Sequence, residues 1–277
     1  MDMIMENSEG FTYHEVDGIG FFTTPLFGQT NVAKACFSTR RGGISTGALA
    51  SLNLGFNRGD DAAIVDENYQ RLCDAIGIKP EQLFFGNQVH GDVIKRVYVD
   101  EQGKSFVNGG TARGVDSLIT DQPNVALVTL YADCVPLYFL DLTHKAIGLS
   151  HAGWRGTVAG IGVKTLQAME EAFDTRPEQC LAAVGPSIGP CCFEVDEPVA
   201  RRFLELQDAY ENIVIKRGDK YSVDLWRANM LQLMQAGVKE SNIALAGLCT
   251  ACHPHLFYSH RRDKGDTGRM AAMIMLT

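Results

Sequence analysis

Three closely spaced apolar segments in the middle of the chain constrain the fold most strongly. Residues 125–131 are rich in β-branched and apolar side chains, which predicts a buried strand. Residues 137–142 and 146–150 predict two further strands joined as a hairpin near Thr143 and His144. A hairpin inside a buried sheet indicates mixed pairing, because purely parallel sheets need long crossover connections.

Helix patterns alternate with these and other strands. The apolar residues of segment 61–76 lie near helical spacing, Gly77 is placed to end the helix, and Pro80 follows. The same reasoning predicts further helices at 157–173, 198–206 and 224–236, and further strands at 93–99, 181–184, 243–248 and 270–276. The expected fold class is α/β or α+β with mixed sheets. We expect one catalytic domain over residues 1–277, with residues 1–30 as a peripheral N-terminal segment.

Composition narrows the class of protein. The 277 residues are 45% hydrophobic, which is enough to bury a full core. A formal net charge of -8 argues against a nucleic-acid surface, since phosphate backbones demand clustered Lys and Arg. The acidic start lacks the features of a signal peptide, and no apolar stretch approaches the roughly 20 residues of a membrane helix. We therefore expect a cytoplasmic protein with no membrane partner and no evident protein partner.

Three short segments each carry one soft metal ligand beside small or special residues. These ligands are His90 in NQVHG, Cys134 in ADCVP and His151 in HAGWRG. A cytosolic protein keeps its cysteines reduced, so a metal or catalytic role is favoured over a disulfide framework for its eight cysteines. Three protein ligands leave a fourth tetrahedral zinc position for water or substrate, whereas structural zinc sites close with four ligands. The pattern indicates a catalytic site.

The same segments carry a family resemblance. GNQVHGD, YADCVPL, SHAGWRG, VGPSIGPCCFEV and FYSHRRDKGDTGRMAAMI occur in this order between about residues 37 and 275. The chain resembles the YfiH/YlmD-type purine nucleoside phosphorylase family, earlier described as polyphenol oxidase or laccase-domain proteins. The resemblance implies an α/β/β/α sandwich and a zinc ion held by His90, Cys134 and His151. It also implies phosphorolysis of adenosine, inosine and S-methyl-5'-thioadenosine with inorganic phosphate, together with deamination of adenosine.

Polar residues beside the ligands are candidates for the chemistry. Asp133 precedes Cys134, and it could orient a histidine ligand, act as an acid or base, or merely cap a turn. Gln88 and Asn87 could recognise a purine edge, because amides both donate and accept hydrogen bonds. A turn-stabilising role is the alternative for these two amides.

Three arginines are candidate phosphate ligands. Arg155 lies just before the helix expected to begin near Thr157, where exposed amides and a guanidinium together suit an anion. Arg40 and Arg261 compete with it. The alternative for Arg155 is pairing with a surface carboxylate, and the alternative for Arg40 and Arg261 is a solvated surface position. The sequence does not rank them.

Two cysteine pairs remain outside the proposed site. Cys249 and Cys252 form a CxxC followed by His253, but haem attachment accompanies export and a zinc ribbon needs a second CxxC. A non-catalytic loop, dispensable for zinc, is the favoured interpretation. Adjacent Cys191 and Cys192 are expected to be structural.

Other functions are compatible with parts of the pattern. Seven histidines and one His-x-His pair cannot supply the imidazole ligands of a four-copper oxidase, although copper could replace zinc at the Cys/His/His site and give weak polyphenol oxidase activity. Cys134 and His151 could instead form a cysteine hydrolase. A peptidoglycan editing factor and a non-enzymatic zinc-stabilised binding protein are further alternatives.

Overall fold

Two β-sheets pack face to face, and helices cover their outer faces. The computed structural model describes residues 10–101, 112–206 and 212–277. The strands are β1 (Thr12–Val16), β2 (Ile19–Thr23), β3 (Ala33–Ser38), β4 (Leu83–Asn87), β5 (Ile94–Arg96), β6 (Ala112–Arg113), β7 (Ser117–Thr120), β8 (Ala126–Tyr131), β9 (Val135–Asp141), β10 (Ala146–Ala152), β11 (Leu181–Val184), β12 (Glu194–Val195), β13 (Val214–Arg217), β14 (Lys220–Val223), β15 (Ile243–Leu245) and β16 (Met270–Leu276). The helices are α1 (Pro25–Gly28), α2 (Ala62–Ile76), α3 (Trp154–Val158), α4 (Ile161–Phe173), α5 (Glu197–Leu204) and α6 (Leu225–Gln235).

Both large sheets are mixed. The seven-stranded sheet has the order β1-β2-β3-β16-β8-β4-β6, and the six-stranded sheet has the order β15-β11-β9-β10-β7-β5. Strand β4 is parallel to both of its neighbours, β8 and β6. Strand β5 is parallel to β7, and strand β11 is parallel to β15. The other strand pairs of the two sheets are antiparallel. A small antiparallel sheet, β12-β14-β13, lies beside them. The predicted mixed pairing is confirmed.

Strand alternation divides the buried side chains among three apolar clusters. In β16, Ile274 faces the cluster between the two sheets, while Met273 faces the cluster under α2. In β9, Tyr138 faces the cluster between the sheets, and Phe139 faces the cluster under α4 and α6. Both faces of these strands are therefore buried, which explains why apolar residues follow one another along their sequences without polar alternation. The predicted α/β/β/α sandwich is confirmed.

Helix α2 follows the sequence prediction closely. Asp61 accepts a hydrogen bond from the backbone N–H of Ala63 as the N-cap, and Gly77 ends the helix in the left-handed conformation. The predicted hairpin is present as β9 and β10. Pro136 lies inside β9, opposite His151.

The predicted helix over residues 157–173 is wrong as a single element. Helix α3 begins earlier, at Trp154, and Gly160 (φ 72°) separates it from α4. Tertiary contacts hold this break, because Thr157 accepts hydrogen bonds from Asn229 and Gln232 of α6. Arg155 therefore lies within the first turn of α3 rather than before a helix.

Other predicted boundaries differ at the strand ends. The strand expected over 93–99 is limited to β5, and the strand expected over 243–248 ends at Leu245. Part of the predicted N-terminal segment joins the sandwich, since β2 pairs with β3 and both Phe22 and Phe27 are buried in the cluster between the sheets. Within the described ranges, no helix has the length and apolar character needed to cross a membrane.

Candidate metal centre

The fold brings the three predicted ligands together at one end of the sandwich. Strands β4 and β8 are parallel neighbours, so their carboxyl ends lie at the same edge of the seven-stranded sheet. His90 follows β4, and Cys134 occupies the short link between β8 and β9. That link crosses to the six-stranded sheet, where the end of β10 carries His151 opposite the start of β9. Topology, rather than sequence spacing, therefore assembles the set.

The donor atoms are close enough to share one ion. One nitrogen of each histidine and the Cys134 sulfur all lie within 4.8 Å of one another. His90 is exposed, Cys134 is half-buried and His151 is buried, so the group opens towards solvent on the His90 side. Two nitrogens and one sulfur are a donor set that suits zinc or copper, and three ligands leave an open coordination position.

Asp116 is the carboxylate that orients His151. Its Oδ1 accepts a hydrogen bond from His151 Nδ1 at 2.8 Å, which leaves Nε2 of the ring for a metal. Asp116 is fully buried and also accepts the backbone N–H groups of Val89, His90 and Gly91 at 2.8 to 3.1 Å. A single carboxylate therefore fixes the segment that carries one ligand and the ring of another.

Asp116 was not among the site residues predicted from the sequence. It lies directly before the buried strand β7, outside the segments that carry the three ligands. The only indication of its role in the sequence was an acidic residue at the start of an apolar strand pattern. No neighbouring motif connects that residue with positions 90 and 151. Its His-orienting function is the one that the sequence analysis had considered for Asp133.

The charges within the centre stabilise one another. Burial alone would raise the pKa of the Cys134 thiol, but His151 and His90 lower it to about 6. Burial would lower the pKa of His151, but Cys134 and Asp116 raise it to about 9. Burial also acts to raise the pKa of Asp116, but the hydrogen bonds from His151 and the backbone amides hold it below its ordinary value. Cys134 is thus favoured as the thiolate that a metal requires.

A cavity of about 590 Å³ lies over the three ligands. Its size is typical of small-molecule sites, and its lining is strongly cationic. The arginines in the lining are Arg58, Arg155, Arg261 and Arg269. A pocket with this charge suits an anionic substrate beside the metal ligands.

Two of the predicted anion ligands line this cavity, and one does not. Arg155 is exposed, its guanidinium lies 4.4 Å from the Trp154 ring centre, and it has no hydrogen-bond partner among the described residues. Arg261 donates to the carbonyls of Cys192 and Glu194. Arg40 is outside the lining, because it donates to the carbonyls of Ala50 and Pro254 and stacks on Tyr258.

Arg58 and Arg269 are further cavity arginines that the sequence analysis missed. Burial and the positive charge of Arg58 together lower the pKa of Arg269 to about 10, so the two cations are close enough to repel each other. Arg269 donates to the carbonyls of Thr267 and Gly268, whereas Arg58 is exposed without a hydrogen-bond partner in the described parts of the chain. A bound anion would relieve this repulsion.

The amide and carboxyl candidates are held by local hydrogen bonds. Gln88 pairs through Nε2 and Oε1 with the backbone of Leu130, which supports its turn-stabilising interpretation. Asn87 lines the cavity and is exposed. Asp133 also lines the cavity, but its two oxygens accept from the Thr250 hydroxyl and the Arg261 backbone N–H. Its carboxylate therefore positions the Arg261 segment.

Gly153 leaves space for the ligands. A Cβ added there would lie 3.0 Å from His90 Cδ2 and 3.2 Å from Cys134 Sγ. We expect Gly153→Ala to displace both ligands and weaken metal binding by about 10-fold, or roughly 1.4 kcal/mol, in a competition titration with a chelator. Gly28→Ala is the control, because its added Cβ meets nothing within 4 Å. Equal metal affinity in both variants would contradict this steric role.

Comparison with known proteins shows which family the chain belongs to. A sequence model described as multi-copper polyphenol oxidoreductase laccase matches residues 34–277. The chain belongs to this laccase family. Its similarity to family members named YlmD and YfiH confirms the resemblance found in the sequence.

Relatives that are similar to the chain are named as purine nucleoside phosphorylases. YlmD of Geobacillus stearothermophilus is 40% identical over 245 residues, covering 87% of this chain and 89% of YlmD. YfiH of Escherichia coli is 35% identical over 253 residues, covering 91% and 97%. The crystal structure of the Geobacillus YlmD superposes with a TM-score of 0.88 at 37% identity, covering 95% of this chain and 97% of that one.

Proposed function

We propose that the protein is a zinc-dependent purine nucleoside phosphorylase that acts on adenosine, inosine and S-methyl-5'-thioadenosine and also deaminates adenosine. The observation that carries the proposal is the position of the His90/Cys134/His151 group at a cationic cavity. The relatives named as purine nucleoside phosphorylases support the reaction class. The N/S donor set and the carboxylate on His151 support zinc.

The proposed substrates match the cavity in size and charge. A cavity of about 590 Å³ accommodates a nucleoside with phosphate beside it. Zinc, when bound, supplies Lewis-acid chemistry. The arginines of the cavity lining then hold the phosphate beside the nucleoside.

Arg155 and Arg58 are the phosphate ligands in this proposal. Both are exposed in the cavity lining without hydrogen-bond partners in the described part of the chain, whereas Arg261 and Arg269 already bind backbone carbonyls. A charge-assisted arginine fork is well suited to phosphate oxygens. Asp133 contributes by fixing the backbone at Arg261, which keeps that side of the cavity in place.

Product analysis tests the reaction. Adenosine, inosine and S-methyl-5'-thioadenosine are each incubated with the purified protein, with and without inorganic phosphate, and the products are separated by chromatography. From adenosine we expect adenine and ribose 1-phosphate only when phosphate is present, and inosine in both mixtures. Absence of base release with all three nucleosides would contradict the phosphorylase assignment.

The Arg155→Ala variant should damage phosphorolysis selectively. Losing a charge-assisted hydrogen bond of roughly 1.5 to 3 kcal/mol should worsen the phosphate KM or the rate by about 10- to 150-fold. Inosine formation needs water instead of phosphate and should change less. Arg71→Ala is the control, since Arg71 pairs with Glu67 on α2 and is outside the cavity. Equal losses in both reactions would mean that Arg155 supports the whole site and would favour Arg58 as the phosphate ligand.

Copper offers a second, weaker activity at the same centre. Cu(II) competes effectively with zinc for sites made of nitrogen and sulfur. We propose that any polyphenol oxidation comes from copper substitution, in agreement with the family description. Oxidase activity should then rise with copper content and fall as zinc is restored.

A further inference from the structure

Four cysteines from distant parts of the chain meet at a second place. Cys191 and Cys192 follow Pro190 in one loop, and Cys249 and Cys252 belong to a second loop after β15. Their four sulfur atoms all lie within 4.8 Å of one another. The CxxC pair Cys249 and Cys252 has no second CxxC in the sequence, but the fold supplies two further thiols from the adjacent Cys191 and Cys192.

A backbone turn places the sulfur atoms of the two adjacent cysteines beside the same third sulfur, that of Cys252. The N–H groups of Cys192 and Phe193 both donate to the carbonyl of Gly189, which closes a tight turn. The sulfur atoms of Cys191 and Cys192 then lie 3.5 Å and 3.4 Å from the sulfur of Cys252.

These separations suit one ion better than a cluster. Four sulfurs at about 2.3 Å from a tetrahedral zinc are about 3.8 Å apart from one another. Iron–sulfur clusters distribute their cysteines over different iron atoms and need wider spacing. The distances here match a single tetrahedral ion.

The surroundings can hold negatively charged sulfur. The backbone N–H of Gly189 donates to the sulfur of Cys249 at 3.3 Å. Burial acts to raise the pKa of Cys249, but this amide and those of Cys252 and Ala251 bring it below its ordinary value. Burial, together with Cys249 and Cys252, instead raises the pKa of Cys191 and Cys192. A bound cation would favour the thiolate forms of both.

We propose that Cys191, Cys192, Cys249 and Cys252 bind a second zinc ion in a closed, structural site. Four protein sulfurs leave no position for substrate, in contrast to the three-ligand centre. Cys249 is buried, whereas Cys191 and Cys252 are exposed, so an ion can enter from the surface.

This zinc would hold one wall of the catalytic cavity. Arg261 donates to the carbonyl of Cys192, and its guanidinium lies 5.3 Å from the ring centre of neighbouring Phe193. Thr250, next to Cys249, donates to the Asp133 carboxylate, which also holds the Arg261 backbone. The ion would therefore lock two loops whose residues contact the cavity, without itself contacting substrate.

Metal content and X-ray absorption test the site independently of activity. The protein is purified under reducing conditions with zinc and then freed of loosely bound metal. We expect about two zinc ions in the native chain and about one in Cys134→Ala, whose remaining zinc should have about four sulfur neighbours at about 2.3 Å. Cys249→Ser combined with Cys252→Ser should also retain about one zinc, now with mixed nitrogen and sulfur neighbours.

A Cys180→Ala variant is the control, because Cys180 is a buried cysteine outside both groups and should leave zinc content unchanged. Should the double serine variant fail to fold, the absorption spectrum of Cys134→Ala decides the question alone, since all four thiols are intact there. A folded Cys134→Ala chain without zinc would overturn the proposal. So would iron in place of zinc, or a mass loss that shows disulfides among the four cysteines in the reduced preparation.

Discussion

Cys134→Ala should remove the metal from the three-ligand centre and abolish nucleoside turnover while the chain remains folded. Cys134 supplies the only thiolate of the group, and neither His90 nor His151 can replace its negative charge. Its side chain is only half-buried, so the loss of packing should be small. Metal analysis, circular dichroism and the adenosine assay measure the three consequences separately.

The control for this prediction is Cys73→Ala, which removes a buried cysteine on the inner face of α2, away from the cavity. It should retain metal and turnover even where it lowers stability. Full turnover by a Cys134→Ala chain that has lost the metal of the three-ligand centre would refute the catalytic centre. Turnover in the metal-free native chain that is lost only in Cys134→Ala would instead favour the cysteine hydrolase alternative, with Cys134 as the nucleophile.

Asp116→Asn should weaken metal binding and destabilise the fold together. The carboxylate accepts the ring N–H of His151 and three backbone N–H groups, whereas an asparagine has one acceptor oxygen and places its own NH₂ against donors. Buried donors left without partners cost about 1 to 3 kcal/mol each. Loss of the carboxylate that orients a ligand typically lowers metal affinity by about 10- to 100-fold. Chelator competition and urea unfolding measure these two effects.

Asp141→Asn is a closely matched control. Asp141 is also buried, and it accepts the backbone N–H groups of Thr143 and His144 as well as the His144 ring nitrogen. It lies at the β9–β10 turn, at the end of these strands opposite to His151. Asp141→Asn should therefore lose stability without losing metal affinity. If Asp116→Asn and Asp141→Asn changed metal affinity equally, the positioning role of Asp116 would be wrong.

Local sequence patterns determined the elements that are buried on one or both faces. The strand prediction at 270–276 coincides with β16, and the helix prediction at 61–76 agrees with α2 to within one residue. In these segments the apolar spacing, the capping residues and the final geometry agree. The hairpin of β9 and β10 was also predictable, because both strands and their turn are contiguous. The three metal-ligand candidates could be named because short distinctive segments surround each of them.

Only the tertiary structure decided which polar side chains act together. Asp116 reaches His151 through the pairing of β7 with β10, and the Arg58–Arg269 proximity joins segments more than 200 residues apart. Arg40 was a credible anion ligand in sequence, but loop carbonyls already occupy its guanidinium.

The four-cysteine group also depends on the tertiary structure. Cys191 and Cys192 complete a four-sulfur group with Cys249 and Cys252 only after two loops are brought together. Apolar periodicity encodes which face of an element is buried, because burial is decided locally by spacing along one helix or strand. Charge pairing and metal coordination depend on atom-to-atom distances across the fold, and no spacing along the chain specifies those distances.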